Sequence, residues 1–589
     1  MTPPVMPSKL YSEYVFDGHE VAPRFWGPIP LNMKEAVTIS RPLIKGYRTN
    51  QQPLFSPERF SRFCDALRNI HREYQGLTPK VKKNLDLLEE QIAVVEAGHQ
   101  PALFGGPGFV INKLTTIARL ATLQNTAPIM FVGDHDHEQK ELTVIHLPSP
   151  GPRGITFSMP VPREYKQSPM HVLPLPTQTW FSQALTKISS TYHELIAGMP
   201  KKQKSQYENR IQTLTSILES TFTQASTISE WSILLWMQIV NLSQDSGILF
   251  QIFSNSSIRQ LMLPAFEYLL KSQTRSRLIQ ALNHSGSQLK EFGYTPGIGV
   301  RAEDYVPFHL ECPTKGCHRT RLDPTLTHPS TNSKVEISTR CPKCRTEHSI
   351  LIKEKSPDLS PWADFLSPRV DTRAFLVQSY TPVILHVGGA GETDYHAQVS
   401  PALEAIQSIS PIFFRYNRLY YGNPWTRRQA QKLSSENLNS LQPSELHFHT
   451  SAITTGYNED NPGVTRSLFA ASGEYILETA AQLISDESRL ERERMDTIIQ
   501  QREATDPTSK EELQSKVGVL TRRRQLVQTY LSQMFGRYSP ERLGQESSFV
   551  WIDSAISLGP NELFNRLSAH YQPLTPPAAT HYLFDEPNE

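Results

Sequence analysis

The chain has 589 residues, 59 lysines and arginines against 58 acidic residues, and a formal net charge of +1. This balance excludes a whole-protein nucleic-acid or anionic-membrane field, and at roughly 150 residues per domain the length implies three or four units. No apolar run approaches the roughly 18 residues that span a bilayer, and the N-terminal stretch MTPPVMPSKLYSEYVF lacks a basic-then-apolar signal. A soluble cytoplasmic protein with no nucleic-acid or membrane partner is expected.

Arg59 to Leu88 reads as helices leading into an apolar run, Ile92 to Val95; Cys64, in the helical pattern, is expected to be a buried hydrophobe. A glycine-rich turn follows, then helical spacing, then a second apolar run from Ile129 to Val132 that ends in Asp134-His135-Asp136-His137-Glu138. This predicts a strand, loop, helix and strand with chemistry at the strand ends. In open α/β sheets ligands bind outside the carboxyl ends of strands, so Gly98-His99-Gln100 and Asp134-His135-Asp136 should face one crevice. Gly105, Gly106 and Gly108 would let backbone amides approach an anion, phosphate or carboxylate, beside a helix N-terminus.

The stretch LPSPGPRGITFSMPVPREY predicts a strand between turns, and Trp180 to Gln244 has long helical periodicity, a helical insertion between sheet halves. Gly247 to Phe253 restores a buried strand, followed by a helix pair through Phe292. Cys312-x4-Cys317 and Cys341-x2-Cys344, separated by 23 residues, match the two knuckles of a structural zinc ribbon. His318 and His348 are alternative ligands, but four sulfurs already close such a site. Pro411 to Arg415 is the next strand. Ser472 to Glu503 and Ser509 to Gly536 then predict an antiparallel helical hairpin, or coiled coil, whose apolar seam (Ile476, Leu483, Leu490, Leu513, Val517, Leu520, Val527, Leu531, Met534) suggests a homodimer. The expected fold is α/β, a Rossmann-like, mostly parallel sheet. Its parts are a first core segment (1–300, helical insertion about 178–245), the ribbon (301–355), a second core segment (356–465), the hairpin (466–538) and a C-terminal segment packing on the core (539–589).

Two blocks carry a family resemblance. Gly98, Gln100, Leu103, Gly106, Pro107, Lys113, Asp134, His135, Asp136 and Glu138 match one segment of the bacillithiol-biosynthesis cysteine-adding enzymes, the BshC family. Downstream, LSPRVDTRAFLVQSYTPVILHVGGAGETDYHAQV resembles a second, through Leu366, Ser367, Pro368, Val370, Arg373, Pro382, Val387, Gly388, Gly389, Glu392, Tyr395, Ala397 and Gln398. The chain departs from that pattern at His99, Gly133, His137, Val377-Gln378 and Ala390. The ribbon is absent from it.

The resemblance implies a ligase that joins the carboxyl of cysteine to the amine of glucosaminyl-malate, with activation by ATP or another nucleotide. Gly98, Gln100, Gly105, Gly106, Lys113, Asp134, Glu138, Gly388, Gly389, Gly391, Glu392, Tyr395 and Arg415 would bind substrate or nucleotide. His99, His135 and Asp136 would orient groups or shuttle the amine proton. Competing readings are a class I synthetase-like nucleotidyl-transfer enzyme, a metal-dependent hydrolase built on Asp134 to Glu138, and a non-enzymatic scaffold. The residues also have plainer uses: Asp134 and Asp136 as helix caps, the histidines as polar core, Lys113 as a solvated helix residue.

Overall fold

The computed structural model describes residues 5–327, 334–353, 355–441, 461–536 and 545–584. The end of the expected 356–465 segment, the junction after the hairpin and the last five residues lie outside the described residues.

Five strands build the core sheet: β1 (Val94–His99), β2 (Ala127–Val132), β3 (Leu249–Ile252), and, beyond three strands named below, Val383–Gly388 and Ile412–Arg415. The first predicted strand is displaced. Ile92 takes a left-handed φ of 51° to end the helix Pro79–Gln91, and the strand begins at Val94, so Gly98 and His99 are its last residues. α1 (Phe109–Gln124) links β1 to β2 and stops at Asn125, also left-handed, as suits asparagine past a helix end. Between β2 and β3 come an antiparallel pair, Val144–Leu147 with Ile155–Ser158, and the helices Gln178–Leu195, Lys201–Gln224 and Ile228–Trp236.

After a helix pair (Ser256–Leu270, Ser272–Glu291) the chain forms β4 (Phe308–Glu311) and β5 (Arg321–Leu322), which make a small antiparallel sheet with β6 (Leu366–Pro368). A second three-stranded sheet, Thr325–Thr327, Lys334–Arg340 and Glu347–Lys353, lies between β5 and β6 in the chain. The four cysteine sulfurs of this region all lie within 4.8 Å of one another. The chain then returns to the core as β7 (Val383–Gly388), α2 (Ala390–Ala405) and β8 (Ile412–Arg415).

The sheet order is β8-β7-β1-β2-β3, every neighbour parallel, with Gly98 opposite Phe131 and Gly388 opposite Arg415. Its strands are buried on both faces, which explains why they read as continuous apolar runs. Because β1 is central, the ends of β2 and β7 flank it. Loops far apart in sequence meet there.

α3 (Pro462–Glu503) begins ten residues before the predicted hairpin and packs along α4 (Pro507–Phe535); Asp506 accepts from Ser509 N at 2.8 Å, and Pro507 starts the helix without losing a needed donor. Ile476, Leu483, Leu490, Leu520 and Val527 close on each other and on Leu433 and Leu441 of the core half. Met534 is buried in the same cluster and Leu531 packs against it, whereas Leu513 and Val517, nearer the hairpin tip, are only half-buried, so most of the seam that suggested a dimer is filled from within the chain. No described helix is long and apolar enough to cross a membrane.

Candidate active site

A crevice of about 800 Å³ opens at the carboxyl ends of the core strands, lined by Gly98, His99 and Gln100 at the end of β1, Gly133 and His135 to Glu138 after β2, and Gly389 to Glu392 and Tyr395 after β7. Both sequence blocks thus face one cavity. Lys113 and Glu392 join them: the ammonium pairs with the Glu392 carboxylate and donates to Gly98 O at 2.7 Å, while Glu392 also accepts from Gly389 N at 2.7 Å. Burial works against charge on Glu392, yet Lys113 holds its carboxyl down at about 2; burial likewise lowers Lys113 against the pull of Glu392. Lys113 is 3% exposed and already neutralised, so it is a brace on the crevice floor, not the free phosphate clamp expected.

The first glycine turn departs from expectation as well. Gly105 and Gly106 take φ of +78° and +82°, as the turn requires, but Gly105 N donates to Ala102 O, Gly106 N to Leu103 O and Gly108 N to Phe549 O. The Trp236 and Trp551 indoles donate to Gly105 O and Phe104 O. These amides are consumed by packing, and Gly105 is outside the crevice lining. At the second turn, Gly389, Ala390 and Gly391 form the crevice wall at the N-terminus of the 16-residue α2, whose first-turn amides have no intrahelical acceptor. Gly389 N is taken by Glu392, so the amides left without an intrahelical acceptor are those of Ala390, Gly391 and Glu392.

Asp136 is ionised: burial opposes charge, but its carboxylate accepts from Gln100 Nε2 at 2.9 Å, His137 N at 2.6 Å and Glu138 N at 3.0 Å, and its pKa falls below the usual range. Burial lowers His99 and His135 to about 3, so both rings are neutral at pH 7. His99 packs edge-on against Phe109, and His135 stacks on Phe253; among the described residues His99 Nε2 and His135 Nδ1 have no hydrogen-bond partner. Glu138 is at the rim, 65% exposed and 3.7 Å from His137.

Two expected site residues are elsewhere. Asp134 is 1% exposed and outside the crevice lining, and it accepts from Ser254 N at 2.9 Å and from the Ser229 and Ser254 hydroxyls, tying β2 to β3. Arg415 donates to Ser8 O at 3.2 Å and Ser12 Oγ at 2.7 Å, holding the N-terminal helix on the far side. Gly388 sits in β7, where a Cβ would strike the Phe413 ring at 2.6 Å; its role is packing. Asp134 to Glu138 therefore do not converge as a metal-ligand set. Among the described residues the only close group of at least three possible ligands is the four cysteines.

The sequence reading missed much of the far wall. Arg373, quoted in the second block but given no role, lies 4.4 Å over the Phe131 ring and donates to Tyr395 Oη at 2.5 Å. Arg301, His309, Glu311, Arg321 and Arg369 also line the crevice. The cysteine-bearing insertion is thus a wall of the site.

Residues 44–416 match the family described as Bacillithiol biosynthesis BshC, N-terminal Rossmann-like domain. Relatives whose name proposes a cysteine ligase, BshC, include one from Oceanobacillus iheyensis, 20% identical over 68% of this chain and 68% of its own length. One from Natranaerobius thermophilus is 22% identical over 59% and 58%, and one from Staphylococcus aureus strain Newman 22% over 67% and 70%. With the family match running through both strand-end blocks and more than half of the chain, the protein belongs to the BshC family.

Proposed function

We propose that the protein is a carbon–nitrogen ligase that joins the carboxyl of L-cysteine to the amine of glucosaminyl-malate, the last step of bacillithiol or related thiol synthesis. The observation that carries this reading is one crevice that brings together the N-terminus of α2, at Gly389 to Gly391, an ionised Asp136, and two neutral imidazoles that each have one ring nitrogen without a partner. The names of the relatives supply the substrate pair. Substrate carboxylate fits the α2 N-terminus and Arg373, and the sugar ammonium fits beside Asp136. The amine must lose a proton before it can attack. An imidazole with a low pKa is a weak base toward water, but it becomes an acceptor when the ammonium is itself desolvated beside it.

A carboxylate is a poor electrophile, and a nucleotide would supply its activation. The first glycine turn does not fit a triphosphate, since its amides are engaged, and no step is assigned to a nucleotide there.

The four cysteines fit structural zinc. Cys312 and Cys344 sulfurs are 3.8 Å apart, and those of Cys317 and Cys341 3.9 Å. A tetrahedron with Zn–S bonds of about 2.3 Å has edges of about 3.8 Å. A disulfide needs about 2.05 Å, and all four thiols are free.

Asp136→Asn should fold and bind cysteine within a few-fold of wild type while turning over about 100-fold more slowly, because the lost charge acts on the amine in the transition state. Wild-type turnover in that variant would remove Asp136 from the mechanism.

A further inference from the structure

The insertion and the crevice share residues. Glu311 directly precedes Cys312, Arg321 follows Cys317 by four positions, and both line the cavity. Arg321 also fastens the insertion to the core: its backbone N donates to Gln167 O at 3.0 Å, and its guanidinium Nη1 approaches the His137 ring, in the same loop as Asp136.

The charge on this wall is unequally matched. Glu311 takes Arg259 at 2.6 Å and Arg319 at 2.7 Å, and Asp371 takes Arg301 at 2.6 Å. Arg321 and Arg369 are left to share one carboxylate, Asp323, at 3.3 and 3.5 Å, and that carboxylate is 56% exposed and also meets His309 at 2.8 Å. Arg369 Nε is spent on Phe308 O at 3.1 Å and Arg321 Nη1 on His137, but both contacts to the exposed carboxylate are longer than a good charge-assisted bond, so each guanidinium retains donors for an incoming oxyanion.

We propose that Arg321, on β5 of the cysteine-bearing insertion, and Arg369, directly after β6, form a second anion subsite in the crevice for a carboxylate or phosphate of the ligand. The α2 N-terminus receives one acidic group and this pair another, so the crevice selects ligands with two acidic groups over those with one. The cysteine cluster holds the pair indirectly, by fixing the turn between β4 and β5. The subsite does not depend on the ligase reading: selective binding without ligation would contradict only the latter.

The test is calorimetric titration of the full-length, zinc-loaded protein with L-malate, with L-lactate, which lacks malate's second carboxylate, and with inorganic pyrophosphate. Malate should bind at least roughly tenfold more tightly than lactate. Arg321→Ala and Arg369→Ala should each erase most of that preference without weakening lactate, and Arg321→Lys should restore part of it. Asp323→Asn removes the internal competitor and should tighten dianion binding several-fold, a change that structural damage would not produce. If the alanine variants lose pyrophosphate affinity but leave malate unchanged, the group recognised is phosphate. Failure of wild type to bind either dianion at millimolar concentration would overturn the subsite. So would wild-type malate and pyrophosphate affinities in both folded alanine variants.

Discussion

Lys113 and Glu392 show how a residue pair changes meaning once its surroundings are known. Each belongs to a different sequence block, and each alone reads as a ligand-binding charge; together they neutralise one another in the crevice floor. Removing one partner of a buried pair costs about 3–5 kcal/mol, because the other charge stays buried and uncompensated. Lys113→Ala should therefore lower stability by about that much, and adding Glu392→Ala should recover a good part of it, as chemical denaturation would show. A Lys113→Ala variant as stable as wild type, with loss of binding alone, would restore the clamp reading. His99 and His135 set a pH dependence. Their folded pKa of about 3 lies below the usual 6.5, so the unfolded chain binds more protons between those values, and their contribution is full above about pH 6.5 and lost as pH falls toward 3. His99→Gln, the residue usual in the family pattern, should flatten the fall in melting temperature between pH 7 and pH 5. An unchanged slope would mean that the ring is solvated. Strand-end spacing pointed to Gln100, Asp136, Gly389, Gly391, Glu392 and Tyr395, all of which line the crevice. It misplaced Asp134 and Arg415 because side chains leaving a strand alternate in direction, and nothing in the local pattern says which face is the crevice.

At the scale of elements, the insertion is the part whose chemistry was most legible and whose position was least so. Two cysteine pairs at knuckle spacing announce a four-thiolate site by themselves. That the strand feeding the first knuckle also supplies His309 and Glu311 to the crevice follows from β4 pairing with β6, Leu310 opposite Leu366, a contact no local pattern encodes. Metal analysis of protein from zinc-replete cells should find about one zinc per chain, and Cys341→Ser should release it while the core sheet stays folded. Full zinc occupancy in that variant would sink the assignment. The first glycine turn is the opposite case: its sequence pattern suggests an anion nest, but the C-terminal segment supplies Phe549 O and the Trp551 indole, and its amides serve packing.

Over the whole molecule, the parallel sheet was readable because doubly buried strands are continuous apolar runs separated by helical periodicity. Quaternary structure was not, since most of the apolar seam of the hairpin is spent inside the chain. The homodimer proposal now falls on the outside of α3, where Ile484, Met495 and Ile499 are 47%, 45% and 48% exposed at helical spacing along one face. Ile484→Glu with Ile499→Glu should halve the mass seen by light scattering if that face pairs two copies. An unchanged mass would place any contact between copies elsewhere. Mass spectrometry of purified protein incubated with L-cysteine and glucosaminyl-malate, with and without ATP, tests whether the crevice formed by both sequence blocks makes a cysteinyl amide. A product equal in mass to the two substrates less one water is expected, as is its loss in Asp136→Asn. No such product under either condition, from folded protein that binds both substrates, would contradict the ligase reading.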